Sequence, residues 1–188
     1  MKNNISIFTE TVRGKYINRP LCNLFARNWE ARGKVLDVGG GDGKGSHWRF
    51  LRHERLNTIT TLDIDSSSGA DVILDLEKEE LPFPENHFDT VLLFNVLEHL
   101  NAREDALKKI HRVLRPDGEL LCTVPFLVGV HPSPHDYVRF TDEGLLKLFS
   151  LAGFSNIEIT PIGRGPLVAS YSQSEFLLPR MLKLFVLP

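Results

Sequence analysis

Three short stretches of this sequence hold residues able to do chemistry. The segment His131-Pro-Ser-Pro-His-Asp-Tyr-Val-Arg-Phe140 gathers two histidines, an aspartate, a tyrosine and an arginine around Pro132 and Pro134. Imidazole and carboxylate at this density suit a metal site, a general base, a substrate grip or a well-capped turn. The pair Glu98-His99 in "FNVLEHL" offers ligands or a base of the same kind, with His131 or His135 as further partners. Adjacent residues on a helix point about 100° apart, so both facing one ion is awkward, and no metal is assigned. The third stretch is "VLDVGGGDGKG", in which an apolar run breaks into glycines at Gly39, Gly40, Gly41, Gly43 and Gly45. Glycines let a ligand approach the main chain, and free N–H groups there suit a nucleotide or carboxylate.

Each stretch needs elements to position it. The run Lys34–Val38 reads as a strand feeding the glycine loop, with a helix expected over "SHWRFLRH". Further strands are expected at 58–64, 71–76, 88–96, 118–126 and 156–162. A helix over "REDALKKIHRVL" would put Ala106, Leu107, Ile110, Val113 and Leu114 on one face. Another follows Thr141 as N-cap and closes near Gly153. Alternating strands and helices predict an α/β, doubly wound, mostly parallel sheet in three layers, with a seventh strand expected to be missing or degenerate. The link "SSSGA" between the second and third strands is too short for a crossover helix of a dozen or more residues. "RPLCNLFARNWEARG" reads as a helix from Pro20 to Gly33 covering the sheet.

Bulk properties narrow the partners. The 188 residues fit one domain, with 1–33 as helical cover, 34–162 as core and 163–188 as an apolar segment. A formal charge of -2 attracts neither nucleic acid nor anionic lipid; the basic residues Lys108, Lys109, His111, Arg112 and Arg115 are expected on a solvated face. Cys22 and Cys122, without metal-ligand spacing, are expected as reduced thiols. The opening residues lack the apolar run of a secretory signal, and "FLLPRMLKLFVLP" is too short to span a bilayer. A cytoplasmic location is expected, with a small-molecule partner and the last segment contacting a membrane surface or a second copy.

The glycine loop does not fit two common phosphate motifs. The dinucleotide pattern GxGxxG fails at its third glycine, where Lys44, Ser46 and Trp48 stand, and GxxxxGK[ST] fails because Gly45 follows Lys44. Asp63 closes "TTLDID" twenty residues after Gly43, where a carboxylate could accept two ribose hydroxyls. Taken with "VLDVGGGDG", the stretches "TTLDID", "VILDLEKEELPFPENHFDTVLLFNVLEHL" and "RVLRPDGELLCTVPF" resemble the successive motifs of small "type 11" class I S-adenosylmethionine-dependent methyltransferases, over about Lys34 to Phe154. The resemblance implies that Asp37, Gly39, Gly41 and Gly43 line the methionine and ribose side of that cofactor and that Asp63 holds the ribose. It implies that Ile64 packs on the adenine, that Asp75 and the Leu76 backbone meet its edge, and that Asn95 lies below the reacting centre.

The proline-stiffened segment then follows the fifth strand at the same sheet edge. His131, His135, Asp136, Tyr137 and Arg139 are acceptor-site candidates, with His135 as candidate base. Two rival readings share the fold: a nicotinamide-dependent oxidoreductase and a non-catalytic cofactor-binding domain.

Overall fold

In a computed structural model residues 18–162 and 170–171 are described. The expectations of an apolar contact segment over 163–188 and of a missing or degenerate seventh strand therefore lie outside the described residues, as does all of 1–17. Five strands form one parallel sheet in the order β3-β2-β1-β4-β5. They are β1 (Gly33–Val38), β2 (Leu56–Asp63), β3 (Val72–Ile73), β4 (Phe88–Phe94) and β5 (Leu114–Thr123). Helix α1 (Asn18–Phe25) precedes them, α2 (Arg103–Val113) joins β4 to β5, and α3 (Asp142–Leu151) follows.

Period-two alternation along the central strands builds two cores. Leu36 and Val38 of β1 and Val91 and Leu93 of β4 face α2 and α3, meeting Leu107, Ile110 and Phe149. The intervening residues Val35 and Leu92 face the other way, against Ala26, Ala31 and Leu51, with Trp29 and Trp48 packed alongside. Burying a leucine-sized side chain fully contributes about 1.5–3 kcal/mol, so these two layers hold the sheet. The face expected for α2 is the one observed: Ala106, Leu107, Ile110 and Val113 are wholly buried. Leu114 is buried as well, as the first residue of β5. Helix α3 starts where expected, with Gly144 N–H donating to the Thr141 hydroxyl at 3.1 Å, and Gly153 follows its end with φ +98°.

Several elements depart from expectation. After the glycine loop only a 3-10 turn, Ser46–Arg49, forms in place of a helix. The covering helix stops at Phe25 and passes into a second 3-10 turn, Ala26–Asn28. Gly33 therefore opens β1 instead of closing a helix. The third strand shrinks to a two-residue edge because the 65–71 link closes on itself: Asp65 accepts the Ser67 N–H at 2.8 Å and its hydroxyl at 2.7 Å, and Asp71 accepts the Thr61 N–H at 2.8 Å. Residues 154–162 form no regular strand, so the expected sixth strand is absent from the described residues.

The basic face of α2 is not simply solvated. Lys109 donates to the carbonyls of Leu76 at 2.9 Å and Glu79 at 2.8 Å, and Arg112 to those of Leu81 at 2.8 Å and Phe83 at 3.0 Å. Their charge satisfies loop carbonyls that have no ladder partner. Among the described residues no helix is long and apolar enough to cross a membrane.

Candidate functional site

Strand order reverses between β1 and β4, since β1 continues toward β2 and β4 toward β5. The carboxyl ends of strands at such a reversal leave a crevice that binds ligands in open α/β sheets. The glycine loop leaves β1 there. Gly39, Gly41 and Gly43 all have positive φ, at 74°, 53° and 73°. A Cβ on Gly39 would also come within 2.8 Å of Val96 Cγ2, so this position needs glycine both for its backbone and for its neighbour.

Two carboxylates fix the loop. Asp37 lies on the α1 side of β1, 1% exposed, and its Oδ2 accepts Trp48 Nε1–H at 2.8 Å and faces His47 Nε2 at 3.0 Å. Asp37 is thus a buried anchor for the turn after the loop, and it lines the same cleft as Gly39 and Gly40. Asp63 sits higher, at the end of β2. Its Oδ2 accepts Gly41 N–H at 3.2 Å and its Oδ1 accepts Asp65 N–H at 3.0 Å. A carboxylate has about four lone-pair sites, so capacity remains for two hydroxyls. The fit to a ribose is good: glycine backbone on one side, a half-buried carboxylate on the other.

Asp75 and Leu76 stay beside Asp63 because Leu74 N–H donates to the Asp63 carbonyl at 2.9 Å. Asp75 caps its own turn through Glu77 N–H at 3.0 Å and pairs with Lys78 at 2.8 Å; Lys78 is the main reason its carboxyl lies below the usual range. Leu76 is buried and Ile64 is 52% exposed on the open ledge. Asn95, with φ 54°, ends β4 and ties to β5 through its N–H on the Thr123 carbonyl at 2.9 Å. A continuous cleft is lined by Gly39, Gly40, Asn95, His99, Thr123 and His131; Asp63, Ile64, Asp75 and Leu76 lie outside that lining.

The 131–139 loop folds back over the end of β4. Tyr137 N–H donates to the Glu98 carbonyl at 2.8 Å. Arg139 grips Asp136 with both guanidinium ends, at 2.5 and 2.7 Å, and Asp136 accepts the His131 N–H at 2.8 Å. The guanidinium is the largest cause holding the Asp136 carboxyl far below the usual range. Asp136 and Arg139 therefore brace the loop, while the Tyr137 and His135 side chains are exposed and lean on one another, ring centroids 5.3 Å apart.

His135, the expected base, contributes its carbonyl, which the His99 Nδ1–H meets at 2.5 Å. The groups brought together are instead Glu98, His99 and His131. Glu98 and His99 lie in the 3-10 turn Leu97–His99, yet Glu98 Oε1 stands 3.7 Å from His99 Nε2 and 3.8 Å from His131 Nε2. The angular objection raised from helix geometry does not hold, because long side chains converge where the backbone vectors do not. Glu98 is 0% exposed, neither carboxylate oxygen has a hydrogen-bond partner, and burial pushes its carboxyl up to about 7. Desolvation, with the Glu98 charge nearby, also raises the Cys122 thiol. The sequence signal for this cluster was the adjacent Glu-His after an apolar strand, with a histidine thirty-two positions further on.

With this geometry in place, the comparisons are consistent. Residues 36–122 match the family model described as a methyltransferase domain. That stretch is similar to class I S-adenosylmethionine-dependent methyltransferases. The ubiquinone/menaquinone biosynthesis C-methyltransferase UbiE of Laribacter hongkongensis is 36% identical to this chain over 100 residues, covering 47% of the chain and 41% of the relative. The chain thus spans under half the length of the curated relatives it matches. The solved cyclase SpnF shares the fold at 23% identity and TM-score 0.54, over 73% of this chain and 56% of that one. So does phosphoethanolamine N-methyltransferase 2 of Haemonchus contortus in complex with S-adenosyl-L-methionine, at 18% identity and TM-score 0.54, over 74% of this chain and 37% of that one.

Proposed function

We propose that the chain binds S-adenosylmethionine in the crevice between β1, β2 and β4 and transfers its methyl group to a small-molecule acceptor. The observation that carries this reading is the Gly41 N–H bonded to the Asp63 carboxylate, which joins a ligand-approachable main chain to a ribose-binding acid. The cofactor supplies an electrophilic methyl with its leaving group already attached. The chain's own residues then have to hold and align. Asp63 fixes the cofactor's ribose, the positive-φ glycines leave room beside it, Asn95 borders its amino-acid end, and the braced 131–139 loop walls the side from which an acceptor enters.

Orientation of this kind supplies much of the acceleration in a displacement between two bound partners. Tyr137 and His135, exposed on the loop, and His131, part of the cluster beside the cleft, are the side chains in reach of an acceptor. A small molecule suits the relatives' printed names, which place them in quinone biosynthesis.

Lys44 at the third-glycine position disfavours a nicotinamide dinucleotide. Equilibrium binding separates the two: S-adenosylhomocysteine should bind one per chain while NAD gives no heat. Binding of NAD without S-adenosylhomocysteine would reject the proposal. A non-catalytic or non-methylating role is a distinct reading, supported by a cyclase sharing the fold; release of S-adenosylhomocysteine in the presence of an acceptor mixture argues against it.

A further inference from the structure

We propose that Glu98, His99 and His131 form a binding site for one divalent transition-metal ion of the zinc type, at the carboxyl end of β4. One ligand atom from each of the three lies within 4.8 Å of the other two. Glu98 Oε1 is 3.7 and 3.8 Å from the two Nε2 atoms; ligands at about 2.0–2.1 Å around a tetrahedral ion stand ~3.3 Å apart. The two Glu98 separations close with a shift of about half an ångström, and the two imidazole nitrogens, within 4.8 Å of each other, with one of up to ~1.5 Å. Three protein ligands with a remaining open position is the pattern of a reactive zinc site.

The surroundings prepare both imidazoles for this task. His99 Nδ1 is 2.5 Å from the His135 carbonyl, and His131 Nδ1 is 2.9 Å from the Gly129 carbonyl. A carbonyl only accepts, so each Nδ1 donates to it and each ring is held with Nε2 toward Glu98. The same loop carries a second layer of support: Arg139 also donates to the Gly129 carbonyl at 3.2 Å, and Asp136 holds the His131 main chain.

Glu98 gives the independent pointer. A carboxylate wholly buried and lacking any hydrogen bond on either oxygen is expensive to keep unless something positive meets it. Its nearest neighbours in the cluster, the two Nε2 atoms, stand at 3.7 and 3.8 Å, beyond hydrogen-bond reach. A cation at their common focus satisfies all three groups. Two nitrogens and one oxygen favour zinc, or cobalt in its place, over magnesium, calcium or manganese, which prefer all-oxygen shells.

His99 and His131 line the same cleft as Gly39 and Asn95, so the open coordination position faces the space assigned to the acceptor. The ligand class it would take is an oxygen donor, a hydroxyl or phenol. That last step rests on the methyltransferase reading; the metal site itself does not.

Cobalt(II) titration of the chelator-treated full chain tests the site, because its visible absorption reports coordination without any activity. The expected result is one ion per chain with the strong bands of four- or five-coordinate cobalt, displaced by zinc. Glu98→Gln and His131→Ala should each weaken binding about a hundredfold or more, exceeding the usual loss from supporting residues. His135→Ala keeps the carbonyl that positions His99 and should retain the spectrum. S-adenosylhomocysteine binding, measured on the same samples, shows that each variant is folded. No stoichiometric cobalt uptake by the unmodified chain overturns the site, as does unchanged affinity in both ligand variants. Cobalt uptake without S-adenosylhomocysteine binding upholds the site and removes only the cofactor reading.

Discussion

Replacing Asp63 by alanine separates cofactor binding from everything else the crevice does. Two of its lone-pair sites hold Gly41 N–H and Asp65 N–H, at 3.2 and 3.0 Å, and the remaining two are assigned to ribose hydroxyls. A hydrogen bond to a charged group contributes about 1.5–3 kcal/mol. Because Asp63 is half-buried and water enters the space an alanine leaves, the two together are worth roughly 2–4 kcal/mol, at the low end of that range. At about 1.4 kcal/mol per tenfold, S-adenosylhomocysteine affinity should fall by roughly 30- to 1,000-fold in calorimetric titration. His135→Ala should leave that affinity within about twofold, since the ring is exposed on the acceptor loop. Loss of less than about threefold in Asp63→Ala, or equal loss in both variants, would refute the assignment of the ribose to this carboxylate.

Three further outcomes follow from the packing. Gly39→Ala forces a Cβ to within 2.8 Å of Val96 at φ +74°; it should destabilise the fold by about 1–3 kcal/mol in chemical denaturation. Lys109→Met leaves the Leu76 and Glu79 carbonyls without their donor, and its melting temperature should drop by several degrees, roughly the effect of 1–3 kcal/mol in a domain of this size. Asp89 is held below the ordinary carboxyl value of 3.8 first by Lys34 N–H and then by Arg115. Its stabilising effect is therefore complete above the unfolded pKa and lost as pH falls through the lower folded one, so the thermal stability of Asp89→Asn should fall less steeply than that of the parent chain between about pH 5 and 3.

Much of this fold was legible because its cues are local. The apolar run into glycines at Lys34–Gly45, the 3.6-residue face of Ala106, Leu107, Ile110 and Val113, and the Thr141 cap each fix an element by its own chemistry. The failures are tertiary. Residues 156–162 alternate like a strand, yet alternation alone does not provide a partner edge, and none forms among the described residues. The turn after the glycine loop stayed short because Asp37 captures both His47 and Trp48, a long-range tie that no periodicity reveals.

The site divided in the same way. The juxtaposition of Asp63 with the positive-φ glycines was readable, since a glycine run ending one strand and an acid ending the next parallel strand meet at one sheet edge. Asp37 lines the cleft beside Gly39 and Gly40 and also anchors His47 and Trp48, a second task that the motif does not mark. Glu98 and His99 were set aside by backbone angle, and no side-chain pattern marks that the His135 carbonyl holds the His99 ring while His131 faces Glu98. Lys109 and Arg112 looked like surface charge because their partners are backbone carbonyls, which no side-chain pattern marks.

A crystal structure of the full chain soaked with S-adenosylhomocysteine tests the central claim most directly. The account predicts the ribose hydroxyls on the Asp63 carboxylate and the sulfur end toward Asn95, with the 131–139 loop across the cleft. Ligand bound elsewhere, or a crevice that stays empty at saturating ligand, would contradict it.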